Sequence, residues 1–173
     1  AHREAAIAAA ARRAWRAHPA IRLVGTPAGE HLPVVSFAVV APTVRGVGAT
    51  WPTDNSGALM HWAFMAALLN DLFGIQSRGG CLCAAPYVMA LLGVDDAYAP
   101  VLREALNGKS DQVKPGVVRV SFCYAMSAAA VHFVIAAVAW VARHGAELLH
   151  LYTPVRETGE WRINRAGAHA MVA

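Results

Sequence analysis

The chain has 173 residues, enough for one domain with a sizeable core. It is 57% hydrophobic and only 15% charged, against an ordinary charged share of about 25%. So little charge covers a globular surface poorly, which points to a hidden interface or to a part of something larger. The net charge of +4 comes from 13 Arg and two Lys. Arg12, Arg13 and Arg16 form the only cluster, on an amphipathic helical pattern. They read as a solvated face, so no nucleic-acid partner is expected.

Residues 2–17 predict an Ala-rich helix that ends before Pro19. It begins with neither an N-cap nor an initiator Met, the pattern of a cut inside a longer polypeptide. Ile21–Gly25 predicts a short strand and residues 32–40 a stronger one, with Pro33 at its start, where a missing donor is tolerated. Residues 44–57 read as a Gly-, Pro-, Thr- and Asn-bearing loop. Trp62, Met65, Leu69 and Leu72 share a stripe, predicting a helix that starts between 58 and 61 and stops at Gly74. A helix through Tyr87 to Leu92 comes next, then one capped by Asp95 or Asp96 and running to Leu106. Val118, Val120 and Phe122 alternate with Arg119 and Ser121, predicting a strand over 117–123. Ser127 offers an N-cap for a helix to residue 143, and residues 148–163 predict a strand or hairpin turning at Glu157-Thr158-Gly159.

Residues 120–142 carry no Asp, Glu, Lys or Arg and are long enough to span a bilayer. Strand, turn and buried helix account for the run better than one membrane helix, and no membrane partner is expected. Period-2 and period-3.6 segments in alternation predict an α/β (or α+β) layer, a small, mainly antiparallel sheet packed with helices.

The chemistry concentrates in Gly74-Ile75-Gln76-Ser77-Arg78-Gly79-Gly80-Cys81-Leu82-Cys83-Ala84-Ala85-Pro86-Tyr87. Two glycines allow a tight bend that presents a thiol. An adjacent cation, Arg78, favours the nucleophilic thiolate. Cys83 is the preferred nucleophile and Cys81 competes with it; either is otherwise a small apolar residue, the usual fate of free cysteine. Cys-x-Cys lacks the further ligands a zinc site needs, so no metal is expected. Arg119 interrupts an apolar strand and calls for a carboxylate or phosphate ligand, or for a structural salt bridge. Lys109 and Lys114 lie in polar, turn-like contexts unlike that of a Schiff-base lysine. Cys123 is expected to be inert within its strand. The odd cysteine count and the lack of a leader segment suit a reducing, cytoplasmic setting.

Three blocks resemble the C-terminal region of class V aminotransferases: Leu32–Phe37, Leu68–Tyr87 and Lys114–Ser127. The resemblance implies that residues 1–173 form the small C-terminal domain of an aspartate-aminotransferase-type (fold type I) enzyme. In such enzymes a large domain of the same polypeptide carries the lysine that binds pyridoxal phosphate. It further implies an amino-acid substrate and a homodimer. The cysteine desulfurase branch is the most similar: Cys83 matches its persulfide-forming cysteine, Arg119 its carboxylate-binding arginine and Arg78 the arginine that opens the loop. A desulfurase implies a sulfur acceptor as well. Cys81 stands where Suf-type desulfurases carry His; Cys-x-Cys here is more similar to molybdenum-cofactor sulfurases and large bacterial class V proteins. The same scaffold supports transamination, lyase and epimerase reactions. The alternative is a catalytically incomplete, stand-alone module that binds a partner through an apolar face.

Overall fold

The computed structural model describes residues 2–25, 32–41, 58–94, 99–107 and 114–165. Helix α1 (His2–Arg16) buries Ala8, Ala11 and Trp15. The strands β1 (Ile21–Val24), β2 (Val34–Ala41), β3 (Ala58–Leu59), β4 (Arg78–Gly80) and β5 (Val117–Ser121) build one sheet. Its order is β1-β2-β5-β4, with β3 beside β2, and each pairing is antiparallel.

Alternation along the strands divides the core in two. Val35, Phe37, Val39, Val118 and Val120 point to one face, where α1, α2 (Trp62–Phe73) and α5 (Ala128–His144) cover them. Trp15 is fully buried there, with ring centroids 5.1 Å from Phe37 and 6.1 Å from Phe122. Ala38 and Val117 point the other way, towards Val88 and Leu92 of α3 (Ala85–Leu92) and Leu102 of α4 (Ala99–Asn107). Burial on both faces explains why β2 is almost continuously apolar rather than alternating.

Local signals set the helix ends. Ser127 Oγ accepts from Ala130 N at 3.1 Å and caps α5. Gly74, at φ 65°, closes α2; its N–H donates to Asn70 O, and that of Ile75 donates to Leu69 O.

The structure departs from the sequence reading at three places along the backbone. Ala58 and Leu59 pair with β2, so α2 starts at Trp62, after its cap His61. β5 ends at Ser121; Phe122 keeps one ladder bond to Pro33 O, and Cys123 stands outside the strand, exposed. Its exposure removes the reason for expecting an inert thiol. Residues 145–151 form a 3₁₀ helix, so the expected hairpin begins only at β6 (Tyr152–Pro154) and returns as β7 (Trp161–Ile163). A run of Leu with no period-2 polar partner satisfies a short helix as well as a strand. The 44–57 loop, the caps at Asp95 or Asp96, and Lys109 lie outside the described residues.

Residues 120–142 are not one helix: strand, turn and α5 divide them. The helical span Ala128–Leu151 meets the length and apolarity of a membrane crossing. Val131, Val134, Val138 and Val141 nevertheless form a stripe buried in the core.

Candidate functional site

Antiparallel pairing lines up one residue from each of four strands. Val24 faces Ser36, Ser36 faces Arg119, and Arg119 faces Arg78. Residues directly opposed on antiparallel strands project to the same face. The row therefore lies on the side covered by α3, with the Cα atoms of the two arginines about 4.5–5.5 Å apart. Like charges so placed repel. Among the described residues neither arginine forms an ion pair or hydrogen bond, and Arg119 Nε is buried without a partner.

Arg119 lines a cavity of about 380 Å³ with Val24, Ser36, Val34 and Val117 below and Leu82, Ala84, Val88 and Leu91 above. Arg12, from α1, also lines it. Its Nη2 donates to Val34 O at 2.9 Å, while its Nε is buried without a partner. Burial, and then repulsion from Arg16, lower the Arg12 pKa. The sequence pattern placed Arg12 on a solvated face; the structure puts it half-buried in the cavity wall. No spacing rule marks that role, because it depends on α1 packing beside the end of β2. Among the described residues no Asp or Glu lines the cavity. A second cavity of about 270 Å³, between α2 and the β6–β7 hairpin, has Glu160 as its charged lining residue.

The thiols separate by environment. Cys81 is half-buried and its Sγ donates to Pro115 O at 3.0 Å. Burial raises the Cys81 pKa, outweighing Lys114, which pulls it down. It is held as a thiol, the weaker nucleophile. Cys83 is exposed. It does not line the cavity, although its neighbours Leu82 and Ala84 do.

Leu82 and Cys83 both take the left-handed conformation, at φ 52° and 65°. For residues with a Cβ this costs about 1–2 kcal/mol each. Of the two glycines expected to bend the loop, Gly80 does so, at φ 100°, but Gly79 does not. Gly79 serves close packing instead: a Cβ there would collide with the Trp62 ring, and one at Gly116 would lie 2.5 Å from Gly80 Cα. Trp62 Nε1 donates to Lys114 O at 3.0 Å. One indole thus clamps β4 and the approach to β5, fixing the cysteine loop beside the arginine strand.

Among the described residues no group of three or more His, Cys, Asp or Glu is placed to hold a metal. The arginine cavity suits a carboxylate or phosphate. Among the described residues it offers no lysine for an aldehyde cofactor: Lys114 is not in its lining. No protein-family model matches the chain, and a search of curated proteins finds no match.

Proposed function

We propose that this chain is the small, substrate-gripping domain of a pyridoxal-phosphate-dependent enzyme of the class V aminotransferase type, with a cysteine desulfurase-like reaction. The reading rests on the motif resemblance. The observation that carries it furthest is an Arg119 guanidinium without a partner on a central strand, facing Arg78 in register and lining a cavity that has no acid among the described residues. A planar guanidinium there matches a carboxylate bidentately. The small antiparallel sheet with flanking helices is compatible with the fold type I small domain.

In this reading the cofactor lysine comes from a large domain, and the aldehyde cofactor, when bound, withdraws electrons from the substrate's carbon. Arg119, with Arg78, holds the substrate α-carboxylate. Cys83 Sγ, as thiolate, bonds to the substrate's sulfur while the Cβ–S bond breaks. Cβ takes a proton to give alanine, leaving a persulfide on Cys83 for transfer to a sulfur acceptor. Cys81 stays protonated on Pro115 O and shapes the loop. A cytoplasmic homodimer completes the proposal.

A second reading, a stand-alone interaction module, draws on Phe133 and Trp140, which are 51% and 42% exposed on the outer face of α5 and pack against Phe73. The native polypeptide that carries this chain distinguishes the two. With pyridoxal phosphate it should absorb in the near-visible and release sulfide and alanine from cysteine, activity that Cys83→Ser abolishes. A spectrum unchanged by the cofactor favours the module. A borohydride-trapped adduct on Lys109 or Lys114 overturns the division between domains.

A further inference from the structure

The cavity has more cationic capacity than one α-carboxylate uses. Arg119 occupies the row of Ser36, whereas Arg12 is tethered to Val34 O. These two residues are two positions apart on β2, so the anchoring points lie about 7 Å from each other along the strand. Both guanidinium groups present a buried Nε without a partner. They come from different elements, α1 and β5, and line the same cavity together with Ser36. A desolvated donor without an acceptor is costly unless a ligand supplies one, and here there are two such donors, on side chains anchored at different rows of β2. Among the described residues the remaining lining is apolar apart from Ser36 and Tyr87. The volume, about 380 Å³, lies toward the small end of ligand pockets, which run from about 300 to 1,000 Å³.

We infer that the ligand is a small dianion, an acid with a second anionic group several ångströms from the first, whose far end is bound by Arg12. This deepens the proposed function and rests on its assignment of the near carboxylate to Arg119. For an amino-acid substrate it means an acidic side chain, or an acidic substituent on the sulfur or carbon distal to the α-carboxylate. Cysteine itself, with its neutral side chain, leaves Arg12 Nε unpaired and is therefore a weaker ligand than an amino acid that carries an acidic group at that end.

The test uses the 173-residue chain itself, titrated with glutarate and with butyrate at one ionic strength and followed by NMR or calorimetry. Glutarate should bind at least tenfold more tightly than butyrate. Arg12→Gln should bring the ratio close to one, and Arg12→Lys, which keeps the charge, should preserve part of it. Arg119→Gln should weaken both ligands. A wild-type ratio near one overturns the inference, as does a ratio that survives Arg12→Gln. If Arg12→Gln does not fold, the wild-type ratio and Arg12→Lys decide. Loss of both ligands in Arg119→Gln, with a wild-type ratio of one, leaves the proposed function standing and removes only the dianion. Binding of neither acid by the wild type removes both.

Discussion

Arg78 and Arg119 are register partners on neighbouring antiparallel strands, two cations side by side on one face of the sheet without an acid between them. A sheet built only for stability would place an opposite charge or an apolar residue at one of these positions. The pair is a local conflict, which under the proposed function the substrate carboxylate relieves.

Removing one member should therefore stabilise the empty protein. Arg119→Met is expected to raise unfolding stability by about 0.5–1 kcal/mol, the scale of a like-charged cross-strand pair, measured by urea denaturation without added anions. The same change should weaken carboxylate binding by about 2–5 kcal/mol, as when one partner of a buried charge pair is truncated. Lower stability together with unchanged affinity would identify Arg119 as a structural residue.

Alkylation should rank the thiols by environment. Cys83 and Cys123, both exposed, should react before Cys81, which is half-buried and bonded to Pro115 O. The rate profile of Cys81 should shift to higher pH, since its pKa is raised. Mass spectrometry of partly modified protein across pH 6–10 reads this order directly. At position 83 the left-handed backbone makes a second, independent mark: Cys83→Gly should be more stable than Cys83→Ala by about 1 kcal/mol.

Gly116→Ala should destabilise the fold by about 2–3 kcal/mol, because its Cβ meets Gly80 backbone as well as the Trp62 ring and neither can withdraw freely. The effect should also reach the loop, seen as faster modification of Cys81. A substitution tolerated at no cost would mean that the clamp is looser than its geometry.

His18 supplies an acid limit. Its Nδ1 accepts from Ala20 N at 3.2 Å, and burial, with Arg143 nearby, lowers its pKa. The unfolded chain binds a proton there before the folded one does, so stability should be intact above about pH 6.5 and fall as pH drops below it. His18→Asn retains an acceptor that does not titrate. The difference in urea midpoint between pH 7.5 and pH 5 should be smaller in that variant.

Local signals were readable in the sequence wherever a few adjacent residues determine the outcome. Ser127, Gly74 and the apolar run of β2 are of this kind, and they place α5, α2 and the centre of the sheet. The end of β5 was not, because Ser121, Phe122 and Cys123 continue the pattern while the partner strand stops supplying hydrogen bonds beyond Pro33. β4 hides for a related reason: Arg78-Gly79-Gly80 has no strand propensity and is a strand only because Val117–Arg119 pairs with it. At the site, Arg119 and Arg78 were visible as chemistry, but their opposition is a matter of register. Arg12 was assigned to solvent because a helical wheel does not show which side of α1 meets the end of another element.

The left-handed backbone at Leu82 and Cys83 also has a meaning for descent. A residue with a Cβ persists in such a conformation only while something maintains it against drift. In a lineage that no longer needed a thiol here, position 83 would pass readily to glycine or asparagine, the residues this backbone accepts most easily. Under the proposed function, the identity of that single residue across relatives would separate those that handle sulfur from those that keep only the scaffold.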